Sequence, residues 1–255
     1  MAQLTFQKIG YVGVIQVDRP EALNALNRDI IDALDVELDK IAADPEVRVL
    51  VIGGTPNFAA GADIKSMVEC DPEGAKKFSF SPTYHKLMNL AIPTIASIGG
   101  YCFGGGMELA LTCDLRIAAD NAKMGLVETN LGIFPGAGGT IRLPRLIGYS
   151  RALEMIIFGK VVKGPEALEM GIVNRVVPKD DLWEETMKWA EKLSLRAPVA
   201  VQAAKRTIKR GLECATVAEG VDIEAEEFAN LFTTHDQKEG MRAFIEKRDP
   251  VYLGK

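Results

Sequence analysis

Residues 99–113 read Gly99-Gly100-Tyr101-Cys102-Phe103-Gly104-Gly105-Gly106-Met107-Glu108-Leu109-Ala110-Leu111-Thr112-Cys113 and lie between two short strand-like runs, 94–98 and 115–118. Strand, glycine-rich turn, apolar helix and strand again is the signature of an α/β layered fold with crossovers. Within the helix, Glu108 stands among Met107, Leu109, Ala110, Leu111 and Cys113, so no face is polar enough to be a solvated surface. Its carboxylate is expected to be buried, which is costly unless the group is paired, hydrogen-bonded or neutralised.

The same alternation repeats on either side of this stretch. Runs 4–9 and 11–17 flank Gly10 and predict a hairpin, Ile30, Leu34, Leu38 and Ile41 recur at helical spacing, and 47–52, apolar but for Arg48, is typical of a buried strand. A helix is expected over 73–90, with 71–82 the most mobile connection because it mixes Pro, Gly, Ser and charge. Beyond Pro178 the strands stop and helices are predicted over 181–195, 198–212, 217–232 and 236–247. Ile223, Phe228, Leu231 and Phe232 form an apolar stripe there that favours packing on another surface, hence a homo-oligomer.

A chain of 255 residues with net charge -5 and a pI near 5.3 can bury a full core and is a poor generic polyanion binder. Lys205, Arg206, Lys209 and Arg210 share one side of a helix and read as a solvated or anion-facing stripe. Nucleic acid is not expected as the main partner. Cys70, Cys102, Cys113 and Cys214 are dispersed without a CxxC pair, residues 1–9 carry no leader pattern, and no run reaches membrane-spanning length. These features predict a soluble, untargeted protein of a reducing cytoplasmic compartment.

The glycine triplet opens a helix, where unpaired N–H groups and the helix dipole favour an oxyanion. Neither GxxxxGK[ST] nor GxGxxG can be drawn through it, so nucleotide loops are excluded. A second small-residue loop, Phe58-Ala59-Ala60-Gly61-Ala62-Asp63-Ile64-Lys65, also follows a strand, and two such loops could hold one enolate oxygen between them. Glu128 lies among apolar residues and glycines just before Phe134-Pro135-Gly136-Ala137-Gly138-Gly139. For either acid alone, a helix-start carboxylate or an ion pair with Arg142 is an equal reading; two in glycine-rich loops favour shared acid–base work. His85 and His235 fall in separate helical stretches, and HExxH, GxSxG and paired-Cys sets are lacking, which argues against a metal or a Ser-His hydrolase. Asp63 and Asp114 read as caps.

Four runs, Arg19-Pro20-Glu21-Ala22-Leu23-Asn24-Ala25-Leu26, 59–67, 99–114 and 134–139, together with Phe244-Ile245-Glu246-Lys247-Arg248-Asp249-Pro250, occur in order and resemble the enoyl-CoA hydratase (crotonase) family. The resemblance implies a spiral of ββα repeats over 1–195 and a helical region over 196–255 that trimerises, usually into a hexamer of two trimers. It also implies that Ala62 and Gly105 donate the backbone N–H groups of an oxyanion hole and that Glu108 and Glu128 are the two catalytic acids. Ala22, Ala60, Asp63, Ile64 and Lys65 fall where the family contacts coenzyme A, and Lys247 where a neighbouring subunit reaches a phosphate.

The implied reaction is reversible syn addition of water to a trans-2-enoyl-CoA, giving the 3-hydroxyacyl-CoA, with the thioester as substrate and no cofactor or metal. The resemblance favours Glu128 as the proton donor at Cα, while the residues alone leave the two proton steps unassigned. Related Δ3,Δ2-enoyl-CoA isomerases generally keep only one of the acids, so two favour a hydratase. The tail pocket is expected from 76–84, Leu126 and Phe134, with Phe103 adding bulk. A short straight chain is preferred; a hydratase for cyclic dienoyl or phenylpropenoyl thioesters, or a Δ3,Δ2-enoyl-CoA isomerase, is the alternative. From a different class, an RNA-binding or non-catalytic acyl-CoA-binding homologue is the competing reading.

Overall fold

The computed structural model describes residues 3–255; Met1 and Ala2, part of the segment read for a leader, lie outside the described residues. Strands β1 (Leu4–Ile9) and β2 (Val12–Val17) form the expected hairpin, and helix α1 (Arg28–Ala43) leads into β3 (Val49–Gly54). Helices α2 (Pro72–Phe78) and α3 (Ser81–Met88) precede β4 (Thr94–Ile98), β5 (Tyr101–Phe103), α4 (Gly105–Thr112), β6 (Leu115–Ala119) and β7 (Lys123–Gly125). Then come α5 (Gly139–Ile147), α6 (Tyr149–Ile157), β8 (Val162–Lys163), α7 (Gly164–Glu169) and β9 (Arg175–Val177). The chain closes with α8 (Leu182–Ser194), α9 (Pro198–Glu213), α10 (Val217–Leu231) and α11 (His235–Glu246).

Six strands form one sheet in the order β1-β2-β3-β4-β6-β9, antiparallel at β1/β2 and parallel elsewhere. A second sheet, β5-β7-β8, runs beside it, so the chain visits each sheet in turn as it passes from β4 to β7. The uninterrupted apolar run of β3 is explained by burial on both faces. Val49 and Val51 pack with Ile95, Ile117 and Met187 of α8, whereas Leu50 and Ile52 join the main core with Leu34, Leu38, Tyr84 and Leu109.

The helix read over 73–90 is two helices broken at Ser79 and Phe80, because Pro82 fits the first turn of α3 but would cost a hydrogen bond and clash with the preceding turn inside one continuous helix. Most of the supposed connection 71–82 is therefore helical, and Asp71 caps α2 by accepting from Gly74 N–H at 2.7 Å. Of the basic stripe of α9 only the lysines face the protein: Lys205, 11% exposed at its side chain, pairs with Asp114 at 2.6 Å and donates to the Ile92 carbonyl, and Lys209 donates to Met88 O and Asn89 Oδ1. Arg206 and Arg210 pair with Glu227 of α10. Asp114 is thus a tie between the start of β4, through Thr94 N–H and Oγ1–H, and α9, rather than a cap. The stripe on α10 stays outside the core, with Phe228 and Phe232 exposed and their rings 5.2 Å apart. Among the described residues, no helix is long and apolar enough to cross a membrane.

Candidate active site

The Arg19–Leu26 motif proves to be a clamp. Asn24 is buried in the left-handed conformation (φ 59°), accepts from Arg19 N–H at 2.8 Å and donates to the Asn57 carbonyl, fixing the entry to the 58–65 loop. Asp63 accepts from Lys65 N–H and pairs with Arg19 at 2.8 Å, which holds its carboxyl below the usual range. Leu26 and Ala62 form a parallel bridge that uses Gly61 O and Asp63 N–H, leaving the Ala62 N–H outside the pairing.

Gly104 takes φ +49° and starts α4, so Gly105 N–H belongs to the first turn, where no intrahelical acceptor exists. A Cβ built on Gly105 would come 3.6 Å from Ala62 N and 3.1 Å from the Phe80 ring, so the two donor positions are neighbours across the loops. Tyr84, fully buried, donates its hydroxyl to Gly105 O at 2.8 Å and pins that turn from behind. Tyr84 falls within the range expected to wall the tail pocket, but nothing in its local sequence marks it as a support for the Gly105 turn.

Glu108 is 2% exposed, and its Oε1 accepts from Ala137 N–H and Gly139 N–H, each at 2.7 Å. Burial raises its carboxyl above the ordinary value, while those two N–H groups and the Arg142 charge pull it back down. Arg142 is not in an ion pair with either acid; its Nη1 donates to Ala137 O at 2.7 Å. Glu128 opens a 3-10 turn, Glu128–Leu131, and its Oε2 is buried with no hydrogen-bond partner. Burial pushes it up to about 7, against its own backbone N–H and with help from the Glu108 charge.

Both acids line one cavity of about 480 Å³, together with Ala60, Ala62, Ile64 and Gly105. Its remaining wall is apolar, with Met67, Phe78, Phe80, Leu131, Ile133 and Phe134. Of the expected tail pocket, Phe78 to Phe80 and Phe134 are in place, but Leu126 is buried in the core and Phe103 stacks on Tyr101 away from the lining. Ala22, Asp63 and Lys65 sit on the adjoining loops outside the lining, and Lys247 is exposed at the end of α11 with φ 58°. An apolar slot with two carboxylates and two adjacent backbone donors can bind an uncharged unsaturated group and move protons around it.

The model of the family described as enoyl-CoA hydratase/isomerase matches residues 8–255. The chain belongs to this family. It is 41% identical over 246 residues to the short-chain-enoyl-CoA hydratase of Clostridium acetobutylicum, covering 95% of this chain and 94% of that protein. Against the mitochondrial enoyl-CoA hydratase of Pongo abelii identity is 40% over 238 residues, covering 93% and 82%. The crystal structure of an enoyl-CoA hydratase from Bacillus anthracis superposes with a TM-score of 0.96 at 38% identity over 99% of this chain and 100% of that one. Members of the family thus share with this chain both its sequence and its mixed α/β architecture.

Proposed function

We propose that this protein is an enoyl-CoA hydratase that adds water to short-chain trans-2-enoyl-CoA thioesters. The observation that carries the reading is the placement of Glu108 and Glu128 in one apolar cavity beside Ala62 and Gly105. In this mechanism Glu108, held by two N–H groups, is the ionised base, and Glu128, raised to about 7, is the acid. Glu108 takes a proton as the water oxygen bonds to Cβ. The electron pair of the double bond moves toward the thioester oxygen, where Ala62 N–H and Gly105 N–H receive the enolate charge, and Glu128 then gives its proton to Cα. Each donor contributes roughly 3 kcal/mol to such a transition state. Return of one proton from Glu108 to Glu128 through a water restores the starting state.

The coenzyme A arm is assigned to the loops carrying Ala22, Ala60, Asp63, Ile64 and Lys65, with Lys247 contributed by a neighbouring subunit. The alternation of the chain between two sheets, extended by the Ala59–Cys102 bridge, supports a spiral of ββα repeats over 1–195. The exposed Phe228 and Phe232 support assembly through 196–255 into a trimer or hexamer. Four free cysteines fit a reducing, cytoplasmic setting, and no cofactor beyond the thioester substrate is needed.

The test is the loss of conjugated-thioester absorbance when the protein meets crotonyl-CoA, with Glu128→Gln as control. Rapid loss in the wild type alone supports the reading; no loss with crotonyl-CoA or with longer, cyclic or aromatic enoyl thioesters would sink it.

A further inference from the structure

A buried base must stay ionised where burial opposes it, so whatever holds Glu108 is part of the machinery. The peptide units of residues 136–139 place Ala137 N–H and Gly139 N–H on Glu108 Oε1, while the carbonyl between them, Ala137 O, points away and accepts from Arg142 Nη1 at 2.7 Å. Gly138 makes this possible: its left-handed φ of 105° lets nearby N–H groups converge on one anion, and the Arg142 guanidinium lies so close that a side chain there would collide with it.

We propose that Arg142 is a positioning residue for the hydration reaction, gripping the Ala137 carbonyl so that the 137–139 turn stays open as an anion receptor for Glu108 and placing an otherwise unpaired positive charge behind it. The inference rests on the reading of Glu108 as the base. The titratable groups facing Glu108 are Arg142 on α5, Glu128 on the 3-10 turn and Tyr84 on α3. Burial keeps the Tyr84 phenol neutral, and it does the same for the Cys102 and Cys113 thiols that face Tyr84. Arg142 is therefore the one cation of this set, and Glu128 opposes it with like charge once ionised.

The experiment compares pH profiles of kcat/KM for crotonyl-CoA in the wild type, Arg142→Gln and Arg142→Lys, with Glu108→Gln run in parallel. Without the cation Glu108 protonates more readily, so Arg142→Gln should move the acidic limb up by about one pH unit. It should also lower kcat by about 10- to 100-fold with KM within about threefold. Arg142→Lys keeps the charge but not the planar fork, so its limb should return toward the wild type while kcat recovers only in part. A wild-type limb and kcat in Arg142→Gln would overturn the proposal, as would a folded Arg142→Lys whose limb moves as far as that of Arg142→Gln. Should circular dichroism show Arg142→Gln unfolded, Arg142→Lys decides: lowered kcat with an unmoved limb supports the role, and wild-type kcat removes it. Near-normal turnover by Glu108→Gln would instead sink the reading of the site. An inactive Glu108→Gln beside unaffected Arg142 variants would sink only the role of Arg142.

Discussion

Glu108 and Glu128 line the same cavity, yet one is held and the other is not: Glu108 Oε1 takes two backbone N–H groups at 2.7 Å, whereas Glu128 Oε2 is buried without a partner. Two chemically identical side chains thus have different surroundings, and in the proposed mechanism that difference lets one site keep a base and an acid at the same pH. In the proposed mechanism the unpartnered oxygen faces the water and the substrate carbon.

Replacing either acid by its amide keeps size and removes proton transfer. Glu108→Gln and Glu128→Gln should each lower kcat by about 10²- to 10⁴-fold. Calorimetric titration with a 3-hydroxyacyl-CoA product should show affinity within a few-fold of the wild type. Near-normal turnover in either variant would contradict the two-acid mechanism.

The raised Glu128 carboxyl has a consequence for stability. Its ordinary value is 4.5 and its folded value about 7, so the folded state binds the proton more tightly. That contribution is fully present below pH 4.5 and is lost as pH climbs through 7. Glu128→Gln, which cannot ionise, should therefore gain on the wild type between pH 5 and pH 8: unscreened, the effect would be about 2.5 kcal/mol, and water reaching the partly exposed carboxyl reduces it to about 1 kcal/mol, or about 2–4 °C in Tm. Equal Tm differences at both pH values would show that the carboxyl is not perturbed.

Gly105 and Gly106 are adjacent and should respond differently to alanine. At Gly105 the new Cβ meets the Phe80 ring at 3.1 Å and points toward Ala62 N, so the fold should persist while kcat falls by about 10- to 100-fold through crowding of the oxyanion position. At Gly106 the Cβ would collide with Ala59 O and lie 2.7 Å from Ala59 Cβ, which are backbone and core. Gly106→Ala should cost about 1–3 kcal/mol, read as a fall in Tm. A catalytic loss at Gly106 with unchanged Tm would reverse these assignments.

The Lys205–Asp114 pair ties α9 to the start of β4 from a largely buried position. Lys205→Met leaves Asp114 without its cation and should cost about 2 kcal/mol, somewhat less than breaking a fully buried pair. Thermal unfolding monitored by circular dichroism checks this. No change in Tm would return the basic stripe to the solvent-facing role that its spacing predicts.

The layered α/β plan was legible from residue order alone, because apolar runs of strand length, helical spacing such as Ile30, Leu34, Leu38 and Ile41, and glycine-rich turns are local properties. Residue order also singled out Glu108 and Glu128, since a carboxylate among apolar neighbours is costly wherever it is placed. Strands of two or three residues such as β5, β7 and β8 left no periodicity to read. It took the packed fold to show that Tyr84 bonds to Gly105 O, that Arg142 bonds to Ala137 O beside the turn that holds Glu108, that the α9 lysines face inward, and that Leu126 belongs to the core rather than the pocket wall. Those facts depend on contacts between residues far apart in the chain, such as Tyr84 with Gly105 and Lys205 with Asp114, and a hydrogen bond or ion pair of that kind exists only once packing has brought its two halves together.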